Sequence, residues 1–404
     1  MKKLISTCAI AASLVSSVFS LEFGTMGSQS FGMAGTGVAV KKSHWGLYYN
    51  PALIVADSGF KLGLYAGLHT RSKNFWESLD QFNTLSKQNI NGLQASANTD
   101  AIKLPLQNIS QLLEDNRIAF KNQDGIVLQA PDFGLGALAI GAFLNLSGGG
   151  SLKAHGFADL MKNLNTITTT QTTTTTPTTT PTQMPQAEVN FSSYALIEIP
   201  VGYAYEFDTD LGYLGVGVAL KYMNLSGTQG NFQVSDNTNW QASASNFLDL
   251  DLHQNASNIG LDVGITYEPT SFITLGLVGK YLNAPTFDLH SRKITIKPQA
   301  RAGIGLNTGI WTLALDADLT KNEDLGSKIK NQMISLGTTL DFKLFALRAG
   351  VATDLQNKDD LIFALGLGLT VFDIGVQFGK KTSPFNGRQI PDYVSFQAGV
   401  GFSF

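Results

Sequence analysis

The sequence predicts an all-β fold: a transmembrane antiparallel β-barrel of about 14 strands, with an N-terminal plug and a helical outer loop. Three observations predict it. The chain ends on a strict alternation, with Val394, Phe396, Ala398, Val400, Phe402 and Phe404 apolar and Ser395, Gln397, Gly399, Gly401 and Ser403 small or polar. Period two over a whole strand gives one face to an oily medium and the other to water. The connections between candidate strands alternate between short and long. Charged residues make up only 15% of the chain, against about 25% in soluble domains.

A closing strand that ends on an aromatic looks like the signal read by the barrel-insertion machinery of bacterial outer membranes, with Phe404 as its last residue. Candidate strands fall at 58–70, 124–130, 134–146, 188–206, 211–225, 257–268, 272–282, 294–307, 310–320, 331–342, 344–354, 360–370, 371–380 and 392–404. Short turns lie near 131–133, 207–210, 269–271, 308–309, 343 and 370–371. Long connections occupy 71–123, 147–187, 226–256, 283–293, 321–330, 355–359 and 381–391. Six short and seven long connections place both termini in the periplasm, because outer-membrane barrels have short periplasmic turns and longer outer loops.

Aromatic residues flank nearly every short turn: Phe133, Tyr205, Phe207, Tyr213, Tyr267, Phe272, Trp311, Phe342, Phe345 and Phe372. With Phe402 and Phe404 they would form an interfacial girdle, although strands are rich in aromatics in any case.

The first residues read as a secretory signal over 1–20, with Lys2 and Lys3, an apolar stretch from Leu4 to Phe19 and a cleavage site at Val18-Phe19-Ser20. The only cysteine, Cys8, lies inside it, so the mature chain has no thiol for disulfide, zinc or nucleophilic chemistry. Beyond that leader no run of about 18 apolar residues remains to form a membrane helix. A net charge of −3 gives no nucleic-acid footprint.

Residues 21–57 are Gly-rich and are expected to form the plug, with 58–404 forming the barrel. In the loop 71–123, Phe75, Leu79, Phe82 and Leu85 recur at helical spacing, as do Leu106, Ile109 and Leu113. A helix there would cap the barrel mouth or lie on the outer leaflet. Loop 147–187 contains a Thr-rich tract, 166–182, that cannot build a core and is expected to be a disordered spacer or an exposed brush.

Little in the chain points to catalysis. The glycines of Gly32, Gly35 and Gly37 lack the strand and helix of a phosphate loop. The five histidines (His44, His69, His155, His253 and His290) have no metal-ligand spacing. There is no nucleophile elbow, so no enzyme, metal or cofactor is expected. Charges on the water-facing phase are more informative: Lys221, Asp262, Lys280, Lys297, Arg301, Asp316, Asp318, Arg348 and Asp373. A cation facing lipid at the midplane would cost about 2–4 kcal/mol, which forces these residues inward. There they would brace the barrel by pairing or line a polar conduit.

The stretch Phe31 to Val40, followed by Tyr48, Tyr49, Asn50, Pro51, Ala52 and Leu53, resembles the hatch of FadL-type long-chain fatty-acid and hydrocarbon transporters. Asn50, Pro51 and Ala52 match the plug motif of that group. The whole chain looks closer to the TraF-type conjugal-transfer barrel family, carried by Asn50 to Leu53, the helical insert, the run Ile296 to Gly303, and Trp311 to Glu323. The resemblance implies passive uptake of a hydrophobic small molecule into outer-membrane lipid past a shifting plug. Phe31, Met33, Trp45, Tyr48 and Tyr49 are then candidate apolar ligand contacts, or simply plug packing. The alternative is a non-transporting envelope barrel that binds partners through its outer loops.

Overall fold

A computed structural model describes residues 20–57, 59–86, 111–132, 134–155, 186–234, 255–289, 293–357 and 361–403. The leader, the Thr-rich tract and Phe404 lie outside these residues. Fourteen strands close into one antiparallel barrel. They are β1 Lys61–Lys73, β2 Arg117–Gln129, β3 Ala137–His155, β4 Gln186–Thr209, β5 Gly212–Val234, β6 Asn255–Thr270 and β7 Ile273–Lys280. There follow β8 Gln299–Asn307, β9 Trp311–Asp318, β10 Met333–Asp341, β11 Phe345–Asp354, β12 Leu361–Leu369, β13 Phe372–Gly379 and β14 Tyr393–Ser403.

Each strand pairs with its sequence neighbour, and β14 closes on β1 through pairs running from Lys61↔Ser403 to Arg71↔Tyr393. The alternation that predicted these strands is visible in their exposure. On β1, Leu64 and Leu68 are 42% and 62% exposed on the outer surface, while Lys61 and Tyr65 point into the lumen and are buried. Short connections link the strands at all six expected places, and Phe133 of the first lies outside the described residues. The aromatics beside them, among them Phe207, Phe272, Trp311 and Phe372, are exposed around one rim.

Three expectations need correcting. Strand β2 begins at Arg117 rather than 124, because its first half puts Asn122 and Asp124 on the outer phase and breaks the alternation. Strands β3 and β5 run to His155 and Val234, past the expected ends at 146 and 225, while β4 nearly keeps its expected bounds; the three have 19, 24 and 23 residues, well beyond the roughly 9–11 that cross a bilayer. Their extensions stand outside the belt, where Gly148, Gly149, Gly150, Ser192 and Ser193 need no alternation. The expected strand 294–307 is split: Lys293–Thr295 pairs with Thr286–Asp288 as a separate hairpin, and the wall resumes only at Gln299.

Among the described residues three short helices have defined bounds, α1 Ser28–Gly32, α2 Gly46–Tyr49 and α3 Phe75–Ser86, and residues 111–114 are also helical. Phe75, Leu79 and Phe82 of α3 pack on Ile118, Leu152, Ala187 and Val189. Those four wall residues share the outward phase of β2, β3 and β4, since Lys121, Asn145 and Ser192 alternate with them inward. Helix α3 therefore lies against the outside of the raised rim and does not cross the mouth. No helix among the described residues is long and apolar enough to cross a membrane.

Candidate functional site: a latched plug and an aromatic chamber

The chain from Phe23 to Val55 fills the short-turn half of the lumen, with nearly every residue buried. It approaches the wall where the wall has no side chain. A β-carbon on Gly217 would lie 2.4 Å from Ala52 N, and one on Gly276 would lie 2.3 Å from Val38 O. Backbone therefore packs on backbone, which only glycine permits.

Side chains of the wall satisfy the plug's main chain. Asp316 Oδ2 accepts the N–H groups of Gly37 and Val38 at 2.8 and 3.0 Å. Arg301 donates to Gly35 O, and Gln377 donates to Phe31 O at 2.7 Å. Irregular backbone buried in a barrel needs such partners, since no water ladder can serve it.

The Asn-Pro-Ala motif is one of these anchors. Asn50 is fully buried; its amide donates to Val38 O at 3.0 Å and to Ile265 O of β6 at 3.1 Å. Its Oδ1 accepts Ala52 N at 3.1 Å and so caps the 3-10 turn Pro51–Ile54. Pro51, first in that turn, has no N–H to leave unpaired. Ala52 is the size that fits against Gly217. The motif thus ties plug to plug and plug to wall.

The candidate apolar residues divide into two groups. Trp45 stacks edge-on with Tyr65 at 5.5 Å and tilts against Phe143 at 6.2 Å. Tyr49 donates its surroundings a polar anchor instead, its hydroxyl accepting Met26 N at 2.9 Å, and Met33 presses on Gly337 and Gly350. These three pack the plug. Phe31 and Tyr48 line a chamber on the long-loop side.

That chamber has about 80 Å³ of room. Its aromatic lining includes Phe23, Phe31, Tyr48, Tyr65, Tyr194 and Tyr281. Lys280 also lines it, 2% exposed, with Nζ 4.4 Å from the Phe23 ring centre and 3.9 Å from that of Tyr48. No described carboxylate pairs with Lys280. Arg301 also lies over the Phe23 ring, with Cζ 3.9 Å from its centre.

The remaining lumen charges are paired. Lys221 reaches Asp262 at 2.7 Å and Glu198 at 3.2 Å, and Tyr281 donates to Glu198 at 2.9 Å. Arg301 meets Asp318 at 2.6 Å, and Arg348 meets Asp373. Lys297, expected on a wall strand, lies instead in the connection before β8. Sequence reasoning missed Glu198, Arg71, Lys121, Glu268 and Asp354. Glu198 sits between Ile197 and Ile199, so alternation within its own strand could have placed it inward.

A lid closes the chamber from the long-loop side. Residues 322–323 pair in parallel with Ser20–Leu21 and antiparallel with 330–331. The first described residues thus lie at the long-loop end, opposite Ser403, and not on the short-turn side expected for both termini. Within that lid Asp324 accepts from Ser327 N at 2.6 Å and Ser147 Oγ at 2.9 Å, and pairs with Lys121 at 3.0 Å. Burial alone would raise its carboxyl, but Lys121 and the Ser327 backbone and hydroxyl outweigh that and hold it at about 2. Lys121 also pairs with Glu22, joining the lid to the start of the plug.

Closed wall, outward greasy phase and filled bore define a plugged, membrane-type β-barrel. The chain belongs to the family described as F plasmid transfer operon, TraF, protein, whose model matches residues 47–318. None of the curated proteins matches the chain. Among solved structures it is similar to the TodX monoaromatic hydrocarbon channel deltaS2 mutant, at 14% identity, covering 95% of this chain and 99% of that one, with a TM-score of 0.52. The TodX deltaS2S3 mutant matches at 13% identity over 94% and 98%, with a TM-score of 0.50. A Pseudomonas aeruginosa FadL homologue matches at 12% over 95% and 98%, with a TM-score of 0.46. At these identities the likeness is one of fold.

Proposed function

We propose that the protein sits in the bacterial outer membrane, short turns toward the periplasm, and passes small hydrophobic molecules by a plug-gated passive route. The observation that carries this reading is the aromatic chamber directly above the plug. An apolar solute gains by leaving water for such a pocket, whereas an aqueous pore offers it nothing. Lys280, facing two aromatic rings and no carboxylate, favours solutes with a π face or an acidic group.

The chamber's 80 Å³ is below the roughly 150 Å³ of a cavity that takes up benzene, so entry requires Phe31, Tyr48 or the 319–332 lid to move. A weak place in the wall lies near the plug. The β3–β4 ladder pairs Ile140 with Val201 and Phe143 with Glu198 but is interrupted between them, where Pro200 has no N–H to give. That interruption is the candidate sideways exit.

The test uses purified full-length protein and the dye N-phenylnaphthylamine, whose fluorescence rises in apolar sites. Toluene, benzoate and decanoate are then added as competitors. Displacement that is lost in Phe31→Ala and altered in Lys280→Met supports the reading. Absence of any saturable dye binding sinks it.

A second reading has its own support. The paired lumen charges and the lid around Asp324 suit a sealed barrel that acts in the envelope, with conjugal transfer suggested by the family's description. Such a barrel would bind partners through its long loops, and shortening 71–123 would abolish that without changing dye behaviour.

A further inference from the structure

The outer surface carries one chemical anomaly. Residues of β2 alternate so that Lys121, Gln123 and Gly125 face the lumen, where Gly125 abuts Met26 and Trp45. Asn122 and Asp124 therefore face outward. Among the described residues Asp124 is the only charged side chain on the outward phase between the two rims.

Its height is fixed by register. Asp124 pairs with Ala66 of β1 and Leu144 of β3, and Ala66 pairs with Ala398 of β14. The next row toward the long loops is Phe396, Leu68, Asn122 and Leu146. Phe396 and Leu68 in that row are 54% and 62% exposed apolar side chains, so the row belongs to the lipid belt. Asp124 lies deeper than that row. An acid at such a depth is a functional feature by default, because hydrocarbon offers it no solvation.

The surface beside it is hollow. Ala66, Ala142 and Ala398 form a low floor between Leu64, Ile126 and Ile374, leaving an open groove of about 710 Å³ that Asp124 borders. Small residues on a membrane-facing surface let another backbone approach closely.

Charge and donor bookkeeping select the occupant. The Asn122 amide spends both N–H groups, on Gly67 O and on Asp124 Oδ1, each at 3.2 Å. The second oxygen of Asp124 receives no donor from any described residue. A second copy of the chain would bring another Asp124 and another Asn122 with its donors already committed. A carboxylate facing hydrocarbon is met most strongly by a cationic donor.

We propose that this face is the docking site for a partner's membrane-spanning segment that carries a lysine or arginine, the cation meeting Asp124 while the segment's backbone lies in the groove. Such a partner is read by one charge and by shape, and the proposal holds whether or not the lumen transports solutes.

The test measures energy transfer in phosphatidylcholine vesicles between the labelled full-length barrel and a labelled leucine-rich helical peptide of about 20 residues. One peptide has a central Lys and its control has Gln. The Lys peptide should associate about tenfold more tightly than the Gln peptide, the factor expected for one charge-assisted hydrogen bond. Asp124→Asn should erase that preference. Ala142→Trp, which fills the groove and leaves the acid in place, should weaken both peptides and guards against a folding defect in the first variant. Equal association of the two peptides with the native barrel overturns the proposal, as does a preference that survives in Asp124→Asn. Peptide-independent transfer between barrels, lost in Asp124→Asn, would give the face to a second copy instead and also overturn it.

Discussion

Asp316 accepts the backbone N–H of Gly37 at 2.8 Å, so a strand of the wall holds the plug by its main chain. This contact is independent of what side chains the plug carries. Together with the bonds from Arg301 to Gly35 and from Asn50 to Val38 and Ile265 it fixes the plug's backbone, while the rings of Phe31 and Tyr48 face the chamber.

Replacing Asp316 with alanine strands two buried N–H groups, at about 1–3 kcal/mol for each group left unsatisfied. The barrel should still insert, and the plug should loosen. Planar-bilayer recordings should show openings larger and more frequent than native. Traces identical to native would mean the latch carries no load.

Gly217→Val and Gly276→Val put side chains where Ala52 N and Val38 O now sit. Overpacking of this kind costs about 1–3 kcal/mol. The outer face is untouched, so heat-modified mobility in gels should show a folded barrel. A protease added to proteoliposomes should nonetheless cut between 24 and 57 faster than native. If the cutting rate does not change, the plug is not seated by those glycines.

Asn50→Asp keeps the cap on Ala52 but removes both donors to Val38 O and Ile265 O. It also faces a carboxylate to two carbonyl oxygens. The expected loss is about 2–4 kcal/mol of plug docking, larger than for Asn50→Ala. Measured unfolding of the plug, followed by Trp45 fluorescence, should rank the variants in that order; the reverse order would refute the assigned hydrogen bonds.

The lid should respond to acid. Asp324 is held at about 2, below the ordinary 3.8, so the carboxylate favours the closed lid. Its contribution is complete above the ordinary value and is lost as pH falls through about 2. Amide protection of residues 321–329, taken as the exchange rate relative to an unstructured peptide at the same pH, should thus be high at pH 5 and fall near pH 2. Asp324→Asn should be poorly protected at both, having lost about 2 kcal/mol. High protection in this variant at pH 5 would show the lid is held by something else.

The legible parts of this protein are those that lipid dictates. Val394 to Phe402 had to alternate because hydrocarbon touches every second residue, and the short turns at 210, 271, 309, 343 and 370 had to interrupt that alternation. Where lipid is absent the signal vanishes. The extensions of β3 and β5 beyond 146 and 225, with Gly148 to Gly150 in the first, read as loop. The first half of β2 was lost for the opposite reason: Asn122 and Asp124 put polar groups on the lipid phase. The alternation of its neighbours puts Lys297 on the wall, whereas the hairpin of 286–288 and 293–295 withdraws that stretch from the barrel.

The plug motif shows the limit from another side. Asn50, Pro51 and Ala52 were recognisable as a pattern, and Ile265 and Gly217, which give them their purpose, were not. Those partners lie far along the chain and meet the motif only after closure. The sequence by itself determined the barrel, its strand number and the inward phase of its charges, since each follows from the period of a strand against oil. Which charges pair, which aromatic residues reach the chamber, and which acid is left facing lipid were decided only when fourteen strands closed around the leading segment, because register and curvature are properties of the whole ring.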